Sequence, residues 1–175
     1  MRDGYEWSRH GELATIGLVG DGQGCGCGCG CGCGCGRIIG LAVKLSDAGI
    51  GDYWEDVDRY IRNHGVEMQF TPEDVPFLEA LGDGKPPPPQ YPGMTTENVI
   101  ETTVGAYSNH VAPYKTSTSL CCSPHGNMGL LYTWDGALRH EDGIVRVNLL
   151  LNRASPWMDV DSSLPYEGCT DRGHR

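Results

Sequence analysis

The chain is short of basic residues. Its 175 residues include 13 Lys and Arg against 23 Asp and Glu, which gives a net charge of −10. Proteins bind nucleic acids through clustered Lys and Arg on the phosphates, so this deficit argues against a nucleic-acid partner. Neutral and cationic ligands remain open.

Long apolar runs are also missing. No stretch approaches the roughly 20 apolar residues that span a bilayer, and residues 1–5 lack the apolar run of a signal peptide. We therefore expect a soluble protein with no membrane association. Its compartment is undetermined, and its native N-terminus can lie further upstream.

Cysteines are scarce outside one segment. Six of the nine form a perfect Cys-Gly repeat over residues 25–36, which leaves Cys121, Cys122 and Cys169. Three is not the even, dispersed set of a secreted disulfide scaffold. The repeat is typical of a flexible low-complexity insert or a repeat-tract error. A tether for soft metals is the less favoured interpretation, because metal sites usually space their ligands by two or more residues.

The adjacent pair Cys121-Cys122 is the most informative feature. A disulfide between neighbouring cysteines closes a strained ring far from ordinary disulfide geometry. The pair is better interpreted as two thiolate ligands, or as one ligand beside one nucleophile.

The chain is long enough for one domain with a core, although its 26 glycines and 11 prolines indicate many loops. Apolar residues on more than one face predict a largely buried helix over 37–48, ended by Gly49. Asp52 is expected to cap a second helix, which would complete an αα-hairpin. Its inward positions are predicted to be Tyr53, Val57, Tyr60, Ile61 and Val66.

Prolines dominate the next segment, over residues 71–93. Pro72, Pro76 and the run 86–89 predict a long loop or an extended polyproline stretch, since proline lacks the backbone donor of a helix or central strand. A further helix is predicted over 123–138, directly after the cysteine pair. Its apolar positions would be Met128, Leu130, Leu131 and Trp134. A helix N-terminus favours thiolates, so it would lower the pKa of the cysteines there.

The last part reads as β structure. Residues 144–151 are rich in Ile, Val and Leu and follow the turn sequence Glu141-Asp142-Gly143. We therefore expect a mainly α chain with a C-terminal β segment, divided between residues 138 and 139, with the β part cut short.

Several segments resemble the β-L-arabinofuranosidases of glycoside hydrolase family 127, over most of residues 37–168. They are Leu41–Asp47, Asp52–Val57, Asn148–Gly168 and the cysteine pair with its following Gly126, Leu130, Tyr132 and Trp134. The resemblance implies an (α/α)6 barrel followed by a β-sandwich. Residues 1–138 would be the C-terminal part of the barrel and 139–175 the start of the sandwich.

The resemblance also implies a function, the hydrolysis of terminal L-arabinofuranosides or a related carbohydrate. Family members hold zinc with three cysteines and a glutamate, and the first cysteine of the pair attacks the sugar. Carried over, Cys121 would be the nucleophile on the zinc and Cys122 a zinc ligand. Glu12 is the candidate acid/base, although a lone glutamate is more often a solvated surface residue.

The chain departs from the family upstream. The Glu-Thr-Cys type motif that supplies the other zinc ligands is expected about where the repeat stands, and no intact copy is present. A repeat cysteine could substitute, but the repeat offers no glutamate. The competing hypotheses are a non-catalytic metal-thiolate protein and an inactive fragment.

Several other residues are candidates for roles at the site. His125 suits a metal site, but a substrate contact or a structural hydrogen bond is favoured. Glu97 and Glu101 are expected in an extended segment, which argues against a catalytic dyad. The remaining candidates are aromatic sugar platforms, for which core packing is the commoner fate, and a weak calcium site. They are Trp54, Trp134 and Trp157 for the sugar, and Asp159 and Asp161 for calcium.

Overall fold

The computed structural model describes residues 5, 32–81, 90–93, 95, 97–109 and 121–164. This part of the chain is mainly helical and ends in a small antiparallel sheet, as predicted. The helices are α1 (Gly32–Asp47), α2 (Trp54–Tyr60), α3 (Val66–Met68), α4 (Val75–Leu81) and α5 (Cys122–Gly136). A π-helical turn, Ile61–Gly65, joins α2 to α3, and 3-10 turns cover Pro72–Asp74 and Glu101–Thr103. The strands are β1 (Leu138–Glu141) and β2 (Ile144–Val147).

Helix α1 confirms the first predicted helix and extends it into the repeat. It begins at Gly32, so Cys33 and Cys35 are helical and the end of the repeat is not a flexible insert. Ile38, Ile39, Ala42, Val43 and Leu45 are all buried. They lie on more than one face of the helix, as the sequence predicted. Gly49 follows with a positive φ of 67°, a conformation that costs glycine little.

The second predicted helix is present but is not regular. Helix α2 starts at Trp54 with Tyr53, and not the predicted Asp52, at its N-cap, although Asp52 Oδ1 accepts a 3.3 Å hydrogen bond from the Trp54 amide. The π-helical turn then inserts an extra residue, which rotates the positions that follow it. Val66 is consequently 60% exposed, and its prediction as an inward residue was wrong. Val57, Tyr60 and Ile61, which precede the rotation, are buried as expected.

Helix α5 confirms the third predicted helix, but it buries a different face. Its buried residues after Cys122 are Gly126, Gly129, Thr133 and Gly136. The residues identified from the sequence as its apolar positions are between 36% and 51% exposed; they are Met128, Leu130, Leu131 and Trp134. Glycines occupy the buried face of α5 because α1 and α5 approach too closely for larger side chains. A Cβ added to Gly129 would lie 2.9 Å from the Gly36 Cα.

The prediction of a continuous loop over 71–93 was wrong at its start. Residues 72–81 form a 3-10 turn and helix α4. Proline is tolerated in the first turn of a helix, where its missing donor has no partner to lose. Thr71 strengthens this start, because its amide and hydroxyl both donate to the Asp74 carboxylate at 2.7 and 3.0 Å. The proline run 86–89 lies outside the described residues.

Strands β1 and β2 form a hairpin around the predicted turn, and β2 ends at Val147, before the end of the β run predicted over 144–151. Glu141 pairs with Ile144, and Asp142 and Gly143 form the two-residue turn with φ of 52° and 78°. Two positive φ values are the signature of a type I′ turn, whose twist matches that of the strands. Helix α5 ends two residues earlier than predicted, and Leu138 lies in β1. Arg153 caps that helix end by donating to the carbonyls of Trp134 and Asp135 at 2.6 and 2.7 Å.

The core joins α1 to α2 and the π-helical turn. Leu149, which follows the hairpin, packs into the same core. Tyr5 also lies in it and donates a 2.9 Å hydrogen bond to the buried carboxylate of Asp56. The division between residues 138 and 139 stays a prediction. Within the described residues, no helix is both long enough and apolar enough to cross a membrane.

We predict that Gly129→Ala lowers the free energy of unfolding by about 1–3 kcal/mol, because its methyl group would enter the backbone of α1. Urea unfolding measures the change, with the exposed Asn127→Ala in the same helix as control. Alanine normally favours a helix over glycine by up to about 1 kcal/mol. A stabilised Gly129→Ala would therefore show that the helices do not pack this closely.

We predict that Arg153→Ala lowers the free energy of unfolding by about 1–2 kcal/mol, because the last carbonyls of α5 lose their charged donor. Arg146→Ala is the matched control, since its 3.9 Å ion pair with Glu141 is solvent-exposed and contributes little. Equal changes in the two variants would contradict the capping role.

Candidate metal centre

Three cysteine sulfurs converge where α1 and α5 begin. Cys33 Sγ lies 3.9 Å from Cys122 Sγ, and Cys121 Sγ lies 4.0 Å from Cys122 Sγ. All three sulfurs lie within 4.8 Å of one another. The adjacent pair therefore meets one cysteine of the repeat, the substitute that the sequence left open.

The spacing of the sulfurs fits a tetrahedral metal ion. Zinc binds thiolate sulfur at about 2.3 Å, so two sulfurs of a tetrahedral site lie about 3.8 Å apart. The two measured edges, 3.9 and 4.0 Å, are close to that value. A disulfide would instead need about 2.0 Å, and all three of these cysteines are free thiols. The residues present therefore fit zinc without a large rearrangement.

The parallel packing of α1 and α5 places the thiols together. Cys33 neighbours Cys122, Gly40 neighbours the Tyr132 ring, and Val43 neighbours Gly136. Both residue numbers rise together along the pair, so the two helices run in the same direction. Their N-termini consequently lie at the same end, next to the sulfurs. Each N-terminus carries a partial positive charge that favours thiolates over thiols.

The three thiols differ in their access to solvent. Cys33 and Cys122 are only 3% and 2% exposed, whereas Cys121 is exposed. A metal could be held by the two buried sulfurs while Cys121 remains within reach of a ligand from solution. Cys35 is buried two residues after Cys33, but its sulfur lies 4.0 Å from the Tyr60 carbonyl and outside the cluster.

Tyr107 packs against the buried side of the thiol cluster. The sequence analysis did not identify this residue. Its buried side chain packs with Cys33, Met68 and Cys122, and its amide donates to Ser123 Oγ at 3.2 Å. Its hydroxyl has no hydrogen-bond partner within the described structure. Burial first, and then the charge of Cys35, raise the pKa of this phenol well above its usual range. In the sequence, the residue that reflects this packing is Gly126, because any side chain there would overlap the Tyr107 ring.

His125 makes a structural hydrogen bond. Its Nδ1 lies 2.7 Å from the carbonyl oxygen of Cys121, and the ring is not part of the thiol cluster. This contact agrees with one of the two favoured roles and braces the first turn of α5. Glu12, the candidate acid/base, lies outside the described residues, as do the repeat cysteines before Cys33.

The three tryptophans lie away from the sulfurs and have protein neighbours. Trp54 is partly buried in the core against Gly136. Trp134 carries the Arg153 guanidinium 4.3 Å from its ring centroid, and Trp157 stacks on His140 at 4.9 Å. A platform for sugar at these positions stays a prediction.

Among the described residues, the carboxylates considered from the sequence do not form a group that could hold a metal ion. Asp159 accepts a hydrogen bond from the Ser155 amide, and Asp161 is exposed. Glu97 and Glu101 are also exposed, in a turn and a 3-10 turn rather than the extended segment predicted. Among the described residues, three possible metal ligands converge at Cys33, Cys121 and Cys122.

We predict that Tyr107→Phe flattens the loss of stability at alkaline pH. The folded protein holds the neutral phenol, whereas an unfolded tyrosine ionises near pH about 10. The stabilisation from this group is therefore complete below about pH 10 and declines as pH rises through that value. Urea unfolding between pH 8 and 11 should show the wild type losing more stability than the variant. Parallel pH profiles would contradict the assigned environment.

The chemistry of the cluster follows from its donors. Soft thiolates select zinc, copper(I) or iron-sulfur clusters over magnesium and calcium. An exposed thiol at a helix N-terminus can also act as a nucleophile. No protein-family model, curated protein or solved structure matches this chain.

Proposed function

We propose that Cys33, Cys121 and Cys122 hold a zinc ion and form the centre of a glycoside hydrolase similar to the β-L-arabinofuranosidases. The observation that carries the proposal is the convergence of the three sulfurs within 4.8 Å, with Cys122 Sγ at near-tetrahedral distances of 3.9 and 4.0 Å from the other two. It supports the resemblance because Cys33, which supplies the third sulfur, lies where an upstream zinc cysteine was expected. The substrate is a terminal L-arabinofuranoside or a related sugar.

The roles of the three cysteines follow from their access to solvent. Cys33 and Cys122 are buried and serve as ligands, whereas Cys121 is exposed and serves as the nucleophile as well. The N-terminus of α5 stabilises negative charge on Cys121, and His125 braces its backbone carbonyl. When bound, zinc keeps the surrounding thiols ionised at neutral pH.

The reaction proceeds in two displacements, as in retaining glycosidases. The Cys121 sulfur attacks the anomeric carbon, and a carbon-sulfur bond forms while the bond to the leaving-group oxygen breaks. An acid donates a proton to that oxygen, a role that the resemblance gives to Glu12. Water then displaces the sulfur, the same carboxylate takes the water proton, and the Cys121 thiolate is restored.

A second candidate function is metal binding without catalysis. The participation of Cys33 favours it, because the repeat supplies a ligand to the cluster. The whole repeat would then chelate soft metals together with the pair, and several metal ions would bind per chain. Deleting the repeat cannot separate the two functions, since either would lose Cys33. Single substitutions can.

We predict one zinc per chain, lost in Cys33→Ser and in Cys122→Ser but retained in Cys35→Ser. Cys35 is the matched control because it is a buried cysteine of the same repeat whose sulfur lies outside the cluster. Elemental analysis of the purified proteins measures the ratio. Several metals per chain that fall by degrees in every cysteine variant would favour the chelator.

Hydrolysis is tested on the zinc-loaded protein with 4-nitrophenyl β-L-arabinofuranoside. Release of nitrophenol by the wild type, abolished in Cys121→Ser, would support the nucleophile. No release from the zinc-loaded chain, with Cys121→Ser behaving identically, would overturn the hydrolase and leave the metal site.

A further inference from the structure

A pocket of about 430 Å³ is lined by residues of α1 and α5. Its lining includes Gly36, Arg37, Gly40 and Lys44 from α1 and His125 and Tyr132 from α5. This volume falls within the range of small-molecule sites and suits one or two sugar rings.

Two glycines of α1 shape the pocket walls. A Cβ on Gly36 would collide with the His125 carbonyl, and a Cβ on Gly40 would lie 2.8 Å from the Tyr132 ring. Because both glycines lack side chains, His125 and Tyr132 can lie against the backbone of α1. The Tyr132 ring is therefore held at the pocket, where an aromatic face can pack on a sugar.

His125 connects the pocket to the thiol cluster. It lines the pocket, and its Nδ1 lies 2.7 Å from the carbonyl oxygen of Cys121. Gly36, another lining residue, lies one helical turn after Cys33 in α1. The pocket therefore adjoins the first turn of α5 through His125, although no cysteine of the cluster lines it.

The pocket contains two cationic side chains, Arg37 and Lys44, in a chain of net charge −10. Other arginines form ion pairs, such as Arg62 with Asp58 and Arg139 with Asp47. Within the described structure, neither Arg37 nor Lys44 has a carboxylate partner. Lys44 Nζ lies 5.6 Å from the Tyr132 ring centroid, a cation-π contact. The exposed guanidinium of Arg37 is left to meet a ligand, and its planar fork matches a carboxylate.

We infer that this pocket binds the carboxylate of an acidic sugar, with Arg37 as its recognition residue and Tyr132 as the platform for the ring. The inference rests on the proposed function, because it names the class of sugar that the hydrolase would take. The substrate would then be a terminal L-arabinofuranoside, or a related glycoside, with an acidic sugar next to the bond that is cleaved.

Saturation-transfer NMR tests the inference on the full chain, with D-glucuronate and D-galacturonate as probes. Neutral D-glucose and D-galactose are the matched sugars, and acetate is the matched carboxylate. We expect the uronates to bind and to compete with each other. The neutral sugars and acetate should bind about tenfold more weakly or not at all. Arg37→Gln should reduce uronate binding by a similar factor, while Arg146→Ala should leave it unchanged.

Equal binding of uronates and neutral sugars would overturn the inference, and so would full competition by acetate. The wild-type comparison gives this answer even if a variant fails to fold. Zinc content and nitrophenol release are measured on the same samples. Zinc-loaded, active protein without uronate binding would overturn the inference alone, whereas uronate binding by protein without zinc or activity would overturn the proposed hydrolase alone.

Discussion

Helices α1 and α5 approach so closely that glycines must line their contact. Gly36 and Gly129 meet backbone to backbone, and Gly126 admits the Tyr107 ring. Close helix packing excludes water and interlocks the two surfaces, so small changes in side-chain volume are felt along the whole contact. Both candidate sites of the molecule depend on this approach, because each is formed by residues from both helices.

The parallel direction of the two helices matters as much as their separation. An antiparallel pair would place Cys33 at the opposite end from Cys121 and Cys122. In the parallel pair, the three sulfurs gather at two helix N-termini, where partial positive charge compensates thiolates. One packing arrangement therefore supplies both the geometry and the electrostatic environment of a metal-thiolate centre. The same pair forms the Arg37 pocket one turn further along.

The metal site and the pocket also share a contrast in polarity. Buried Cys33, Cys122 and Tyr107 form a water-poor base, while Cys121 and Arg37 face solvent. Buried thiols can hold a metal ion, while the exposed Cys121 and Arg37 stay accessible to a ligand from solution. The Tyr107 hydroxyl, which has no hydrogen-bond partner among the described residues, lies in the base of this arrangement, where burying a polar group without a partner costs stability.

The sequence alone located the longest helices and the turn between the two strands. Helical periodicity located α1 and α5, and Glu141-Asp142-Gly143 located the turn before β2, because these patterns depend on neighbouring residues. Predictions from neighbouring residues were wrong in the segment after Thr71 and at Val66. The prolines after Thr71 suggested a loop, yet Pro72 and Pro76 fall in helical first turns. The π-helical turn, which rotated Val66 outward, left no clear sign in the sequence.

The tertiary structure decided which face of α5 is buried and which cysteine joins the pair. Hydrophobicity favoured Met128, Leu130, Leu131 and Trp134 for the core, but the distance to α1 selected glycines. Cysteines of a perfect repeat are indistinguishable by sequence context. The helical start at Gly32 and the parallel packing on α5 place Cys33, and not Cys35, against Cys122. The sequence supplied the ligands, and long-range packing chose among them, because residues about 90 positions apart meet only in the folded chain.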